Sequence, residues 1–258
     1  YVHLLTEVER RAYADRATHL GDEDFWEVPT SMLLSKEYAR QRVKDIDRDK
    51  ASTSKEVKAG ALVQKESEET THYSVVDKSG NAVSVTTTIN SGYGSGITVS
   101  GAGFILNNEM DDFSSKPGVP NMFGLLGNEA NAIEPAKRPL SSMTPTIVLK
   151  EDRPYLILGT PGGSTIITTV LQNFLNVTFH QMSIKEAVDA PRFHSQWMPD
   201  MIDYEKNSLS KKVIKNLEKM GHALDQRGSI GEANGIMIDS LGFWGGADIR
   251  GENSAIGY

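Results

Sequence analysis

A single stretch decides how the fold is interpreted: Glu69-Thr70-Thr71-His72-Tyr73-Ser74-Val75-Val76-Asp77. The segment before it is polar and charged, whereas threonine, tyrosine and valine favour β-strands. A cut between Glu69 and Thr70 would make Thr70 an N-terminal residue that carries both a hydroxyl and a free α-amine. That combination is a nucleophile with a built-in general base. A threonine pair also begins many ordinary strands, so the stretch alone leaves both interpretations open.

The composition is that of a globular protein. The chain has 258 residues, of which 38% are hydrophobic and 24% are charged, enough for one large domain or two small ones. A net charge of −7 without a basic cluster argues against a nucleic-acid partner. Cysteine is absent, which excludes disulfides, thiolate metal sites and cysteine nucleophiles. No apolar run approaches the ~20 residues that span a bilayer.

The part before Thr70 is predicted to be helical and then exposed. Apolar spacing predicts helices over 2–16 and 31–47. Residues 48–69 are rich in Lys, Glu and Ser, which predicts an exposed linker that suits a protease-sensitive or self-cleaving junction. The chain starts at Tyr1, where a helix is predicted to be already under way, and without an initiator methionine. We therefore expect it to be a fragment or the C-terminal part of a longer precursor.

The part after Thr70 alternates between strands and helices, with predicted strands at 72–77, 82–89, 104–106, 146–150, 155–158, 234–239 and 242–244 and predicted helices at 165–176, 183–190 and 210–220. The helix at 165–176 is apolar on most sides, which predicts burial. Helices that flank paired antiparallel strands indicate a layered α+β architecture.

Several polar residues are candidates for a site. Thr88 and Asn90 are two apart on a predicted strand and would share a face. Glu109 and Asp112 lie in an acidic turn that suits an ammonium ligand better than a metal, because histidine partners and the calcium-loop pattern are absent. A solvated turn is the alternative.

Two further pairs offer hydrogen-bond donors. The hydroxyls of Ser141 and Ser142 can both donate to a carboxylate if the backbone turns there, although an ordinary polar turn is also compatible. Gly162 and Gly163 precede a predicted helix, where consecutive N–H groups near the positive end of the helix can form an oxyanion hole. A plain turn is the alternative, since the pattern matches neither phosphate-binding fingerprint.

Together these segments resemble the γ-glutamyltranspeptidase (glutathione hydrolase) family of N-terminal nucleophile hydrolases over nearly the whole chain. The motifs that carry the resemblance are Thr70-Thr71-His72-Tyr73, Thr86-Thr87-Thr88-Ile89-Asn90, Asn107-Asn108-Glu109-Met110-Asp111-Asp112-Phe113, Lys137-Arg138-Pro139-Leu140-Ser141-Ser142-Met143, Pro161-Gly162-Gly163-Ser164 and Pro191-Arg192-Phe193-His194. The resemblance implies a four-layer αββα sandwich, with residues 1–69 as the tail of the large subunit and 70–258 as the small subunit. It also implies self-cleavage before Thr70 and periplasmic or secreted location.

The resemblance implies a role for each candidate. The nucleophile falls on Thr70 and its supporting threonine on Thr88; the binders of the substrate α-amino group fall on Asn90, Glu109 and Asp112, those of the α-carboxylate on Ser141 and Ser142, and the oxyanion-hole glycines on Gly162 and Gly163. The implied partners are glutathione or another γ-glutamyl substrate, an amino-acid or peptide acceptor, water and the remainder of the large subunit. No cofactor is implied.

Two departures from the family pattern stand out. The family arginine that holds the α-carboxylate belongs to a region upstream of Tyr1. The lid, expected at 115–139, has Phe123 at its wall position where the family often has tyrosine, so a hydrogen bond from that side chain is lost. Two alternatives stay open: another acylase of the superfamily, such as a glutaryl or cephalosporin acylase or a poly-γ-glutamate transpeptidase, and an unprocessed fragment that only binds ligand.

Overall fold

The computed structural model describes residues 1–57, 70–114, 116, 119 and 127–257. Six α-helices lie in these ranges: α1 Val2–His19, α2 Thr30–Leu33, α3 Lys36–Arg42, α4 Thr165–Thr178, α5 Ile184–Asp189 and α6 Lys211–Met220. The same ranges hold nine strands: β1 Thr71–Val76, β2 Ala82–Thr87, β3 Thr146–Lys150, β4 Arg153–Gly159, β5 Phe193–His194, β6 Ile202–Glu205, β7 Leu224–Arg227, β8 Asn234–Asp239 and β9 Gly242–Ala247. No helix among the described residues is long and apolar enough to cross a membrane.

The strands form three sheets. β1 and β2 form an antiparallel hairpin, β3-β4-β8-β9 form a second antiparallel sheet, and β5-β6-β7 form a third with one parallel pair. The hairpin packs on β4 and β8, while α4 and α5 pack on strands of the second sheet. Alternate residues of β1 face inward, with His72 buried and Tyr73 half exposed. Helix, sheet and sheet are therefore stacked as successive layers.

The main core lies between the second sheet and the two helices. It is formed by buried aliphatic side chains of β4, α4 and α5, among them Leu156, Leu158, Val170, Ile184 and Val188. Helix α5 is stabilised at its start by a reciprocal capping box between Ser183 and Glu186. This core fixes β4 and α4, and the turn between them carries the predicted oxyanion glycines.

Several boundaries differ from the prediction. The predicted helix over 31–47 is two helices, because Ser35 ends one and caps the next by accepting a hydrogen bond from the Tyr38 N–H at 3.1 Å. The predicted strand at 104–106 is only an isolated bridge between Thr98 and Ile105. Strands β5 to β7 were not predicted. Helix α4 is buried as predicted, but its buried residues include polar Thr168.

The prediction that 48–69 is an exposed linker is confirmed only in part for its described residues, 48–57. Residues 48–50, 53, 55 and 56 are exposed, whereas Ala51, Ser54 and Val57 are buried. The Ala51 N–H donates to the Met220 carbonyl at 2.7 Å, and the Trp197 indole donates to the Ser54 carbonyl at 3.1 Å. Small and hydroxylated residues make this segment polar in sequence, yet they fit closely against α6 and the chain near Trp197.

Candidate active site

Thr70 lies directly before β1 and beside Thr88. The strand register pairs Thr71 with Thr87, so Thr70 stands opposite the residue that follows β2. The Thr70 hydroxyl donates to the Thr88 hydroxyl at 3.3 Å, and Thr88 Oγ1 also accepts from the Asn90 N–H at 2.9 Å. Thr88 therefore holds the Thr70 side chain and fixes the turn that follows β2.

The predicted reason for the proximity of Thr88 and Asn90 is wrong. Strand β2 ends at Thr87, so the two residues do not share a strand face. Asn90 has a φ of 74°, in the left-handed region that asparagine tolerates better than most residues. The chain turns here, and this turn buries the Asn90 side chain.

Asn90 is joined to the segment that carries the acidic residues. Its side-chain amide donates to the Asn108 carbonyl at 3.2 Å, and the Asn108 N–H donates to the Ile89 carbonyl at 3.2 Å. The Asn108 side chain in turn bonds Ser91 through both of its ends. Hydrogen bonds therefore run without a break from Thr70 to the residue before Glu109.

The acidic turn is a single 3₁₀ turn over Glu109–Asp112. Burial, the Glu109 charge and Asp111 raise the pKa of Asp112 to about 6, while Arg16 opposes the shift. Burial also raises the pKa of Glu109. Two partly buried carboxylates that repel each other are stabilised by a cation, and an ammonium group supplies one without demanding metal geometry.

The serine pair is held from two sides. The Ser141 hydroxyl accepts from the Met143 N–H at 3.0 Å, which confirms that the backbone turns there. Arg16 Nη2 of α1 donates to the Ser141 carbonyl at 3.2 Å and to the Ser142 hydroxyl at 3.1 Å. Ser141 is exposed and Ser142 half-buried, so both are placed near solvent where a ligand can enter.

Asn131 bridges the acidic turn and the serine turn. Its side-chain amide donates to the Asp112 carbonyl at 2.7 Å, and its side-chain oxygen accepts from the Leu140 N–H at 2.9 Å. The residue is buried. One side chain thus sets the spacing between the predicted ammonium-binding and carboxylate-binding residues.

The glycine turn has the backbone that the sequence predicted. Gly162 and Gly163 have φ values of 134° and 54°, which favour glycine. Among the described residues, neither N–H has a hydrogen-bond partner, so both are available to an incoming oxygen. The Tyr13 hydroxyl of α1 donates to the carbonyl of Ser164 at 2.6 Å and holds the next residue of the turn.

His72 connects the start of β1 with the end of β4. A Cβ on Gly159 would lie 2.1 Å from the His72 ring, so glycine is required for this approach. Burial lowers the pKa of His72 to about 4, and its ring bonds the hydroxyls of Thr86 at 2.8 Å and Ser74 at 3.0 Å. A neutral, buried ring therefore sets the distance between β1, which follows Thr70, and β4, which leads to the glycine turn.

Hydrogen bonds connect Thr70, Thr88 and Asn90 to the acidic turn and the acidic turn to the serine pair, while the glycine turn is held by Tyr13 of the same helix that carries Arg16. Glu69 and Phe123 lie outside the described residues, so the cleavage junction and the lid stay predictions. Sequence reasoning missed Arg16, Asn131 and Tyr13. Arg16 and Tyr13 belong to a helix that the periodicity predicted, but periodicity does not say which distant turns a helix will contact.

A group of metal-ligand type lies away from this region. His3, Glu7 and His222 are buried and have ligand atoms within 4.8 Å of one another. Glu7 is already paired with Arg11 at 2.7 Å, and the two imidazoles share a hydrogen bond of 2.7 Å. These contacts account for the group as a network that joins α1 to the end of α6.

Comparison with known proteins gives concordant matches. The family model for gamma-glutamyltranspeptidase matches residues 1–258. The chain is 48% identical over 250 residues to the glutathione hydrolase proenzyme of Escherichia coli K12, covering 96% of this chain and 43% of that protein. The chain therefore spans less than half the length of this relative.

Solved structures show the same relationship. A mutant of Helicobacter pylori gamma-glutamyltranspeptidase matches with a TM-score of 0.68 at 56% identity, over 70% of this chain and 100% of that chain. The gamma-glutamyltranspeptidase of Pseudomonas nitroreducens in complex with L-DON matches with a TM-score of 0.70 at 47% identity, over 73% of this chain and 99% of that chain. The α+β fold of the N-terminal nucleophile hydrolases is thereby confirmed, and the chain belongs to the gamma-glutamyltranspeptidase family.

Proposed function

We propose that the whole protein transfers and hydrolyses γ-glutamyl groups through a γ-glutamyl-threonine intermediate on Thr70. The observation that carries this proposal is the continuous set of hydrogen bonds from Thr70 through Thr88 and Asn90 to the residue before the acidic turn. A nucleophile is thus joined rigidly to carboxylates that suit an ammonium group. A γ-glutamyl substrate has a group that matches each of them: a scissile amide at one end for the nucleophile, and an amino-acid group at the other end for the carboxylates.

The proposed first step is attack of Thr70 Oγ1 on the γ-carbonyl carbon. The free α-amine of Thr70, once Glu69 has been cut away, takes the hydroxyl proton and returns it to the leaving amine. The N–H groups of Gly162 and Gly163 stabilise the oxyanion of the tetrahedral intermediate. Water or an acceptor amino acid then attacks the ester, which releases glutamate or a new γ-glutamyl compound and restores the threonine.

The far end of the substrate accounts for the remaining residues. Its ammonium group is proposed to bind Glu109, Asp112 and the side-chain oxygen of Asn90. Its α-carboxylate is proposed to accept hydrogen bonds from Ser141 and Ser142. Glutathione and related γ-glutamyl compounds carry both groups, whereas a glutaryl group lacks the ammonium and would leave the two carboxylates unpaired.

The proposed domain organisation follows from the cleavage. Residues 1–69 are proposed to be the end of a large subunit and residues 70–258 the small subunit, together forming part of one domain. Residues 70–258 are 189 of 258, or 73% of the chain, and the Pseudomonas nitroreducens chain, matched over 99% of its length, covers the same share. A periplasmic or secreted location and the remainder of the large subunit as partner belong to the same proposal.

The test is the intact mass of the whole protein, denatured, for the wild type, Thr70→Ala and Thr70→Ser. We expect two pieces from the wild type, the smaller beginning at Thr70, and an uncut Thr70→Ala variant. Thr70→Ser keeps a hydroxyl and should still be cut. A wild type that stays whole after long incubation would refute the enzymatic proposal and favour a protein that only binds ligand.

Substrate class is tested separately with two anilides. The γ-glutamyl anilide carries the ammonium group, and the glutaryl anilide differs only in lacking it. We expect strong preference for the γ-glutamyl compound and loss of that preference in Asp112→Asn. Equal turnover of the two by the wild type would instead support an acylase of another specificity.

A further inference from the structure

Arg16 contacts both residues of the serine pair, Ser141 and Ser142. It lies in the last turn of α1, and its Nη2 donates to the Ser141 carbonyl and to the Ser142 hydroxyl, at 3.2 and 3.1 Å. The guanidinium thus fixes the backbone at one residue and the side chain at the next. The proposed mechanism gives this arginine no role.

The same side chain acts on the acidic turn through its charge. Arg16 and Asp112 attract each other, and this attraction opposes the burial, the Glu109 charge and the Asp111 charge that raise the pKa of Asp112. Burial lowers the pKa of Arg16 itself, and Asp112 opposes this shift as well. Asn131 bonds both the Asp112 carbonyl and the Leu140 N–H, so the acidic turn is held next to the serine pair that Arg16 contacts.

We infer that Arg16 is a positioning residue for the α-amino-acid end of the substrate, orienting the Ser142 hydroxyl toward the α-carboxylate and placing a positive charge on the side of the acidic turn. This inference rests on the proposed function. Arg16 precedes the proposed cleavage site, whereas Ser142 and Asp112 follow it. The substrate site is then assembled from both products of cleavage.

Arg16 can act on the site in two physical ways. A hydroxyl that accepts a hydrogen bond from a cation becomes a stronger donor, because each bond in such a chain polarises the next. The proton of Ser142 is directed away from the guanidinium, since the oxygen lone pair faces Arg16. A positive charge beside Asp112 also favours the carboxylate over the carboxylic acid, which cannot pair with an ammonium group.

The experiment compares Arg16→Gln and Arg16→Lys in the whole protein with two anilides at about pH 8, above the pKa of about 6 that Asp112 has in the wild type. The γ-glutamyl anilide has the α-carboxylate, and the 4-aminobutyryl anilide lacks only that group. Removing charged hydrogen bonds in Arg16→Gln should raise KM for the γ-glutamyl compound by about 10- to 100-fold with kcat little changed. The kcat/KM for the 4-aminobutyryl compound should change by less than about threefold.

The pH profile tests the second half of the inference. The acidic limb of kcat/KM for the γ-glutamyl anilide should move to higher pH in Arg16→Gln and stay in place in Arg16→Lys, which keeps the charge. Arg227→Gln is the matched control, because Arg227 is a partly exposed arginine paired with Asp203 in the third sheet. The Arg227→Gln variant should change neither the KM for the γ-glutamyl anilide nor the position of the acidic limb of kcat/KM.

Two results would overturn the inference. One is an equal loss on both anilides with an unmoved acidic limb, which a purely structural arginine would give. The other is an Arg16→Gln variant with the same kinetics as Arg227→Gln.

If the wild type is cut but turns over no anilide, the proposed function fails, and calorimetry still tests the role of Arg16. Glutamate should then bind more weakly to Arg16→Gln than to the wild type, and 4-aminobutyrate equally to both; unchanged glutamate binding refutes the inference.

Discussion

Asn131 offers the sharpest test of how the site is held together. Its side chain joins the Asp112 carbonyl to the Leu140 N–H through bonds of 2.7 and 2.9 Å. Asn131→Ala removes both bonds and leaves two partly buried backbone groups without those partners. An unsatisfied buried group costs ~1–3 kcal/mol, so we expect the two groups together to lower the free energy of unfolding by about 2–6 kcal/mol. For a protein of this size that corresponds to a drop in Tm of about 4–24 °C.

The effect on activity distinguishes a bridge from ordinary packing. Because Asn131 sets the spacing between the two turns proposed to bind the substrate, KM for a γ-glutamyl anilide should rise at least about tenfold, while kcat changes less. Asn131→Asp keeps the acceptor for Leu140 but places a carboxylate oxygen against the Asp112 carbonyl, so it should impair KM as well. Asn81→Ala is the control, since it removes an exposed hydrogen bond of 2.7 Å to Asp77. A lower Tm with an unchanged KM would refute the reasoning.

Three other substitutions test other parts of the structure. Gly159→Ala drives a Cβ into the His72 ring and should lower Tm and slow self-cleavage, and an unperturbed variant on both measurements would contradict this. Tyr13→Phe removes the bond to Ser164 and should reduce kcat more than it raises KM in steady-state assays, whereas a change in KM alone would argue against it. Burial raises the pKa of Glu9, so the folded state binds the proton more tightly than the unfolded state, and stability falls as pH rises above the unfolded value of about 4.3. In urea unfolding, Glu9→Gln should therefore become more stable relative to the wild type as pH rises above about 4.3, and parallel curves would contradict the assignment.

Local patterns in the sequence correctly predicted the elements whose conformation depends on neighbouring residues. The hairpin of β1 and β2, the strand-to-helix turn at Gly162 and the helix α1 depend on neighbours within a few residues, and each was confirmed. The candidate residues came from short motifs for the same reason. The short strands β5 to β7 escaped prediction because two to four residues give too little periodicity to detect.

Contacts between distant segments could not be read from the sequence. Asn131 looks like any loop asparagine, and only the fold shows that its two ends meet Asp112 and Leu140. The segment at 48–57 was predicted to be exposed because it is polar, yet Ser54 is buried against Trp197. Thr88 and Asn90 were paired correctly for a wrong reason, since a left-handed turn and not a shared strand face brings them together.

Helix α1 has a further consequence if the protein is cut before Thr70 as proposed. It precedes the junction, yet its Tyr13 holds the Ser164 carbonyl and its Arg10 is paired with Asp200, both on the far side of the cut. The two pieces therefore share an interior, and breaking one peptide bond removes only the tether between them. Activity should then be insensitive to dilution, and denaturant should inactivate the enzyme and separate the pieces in a single transition.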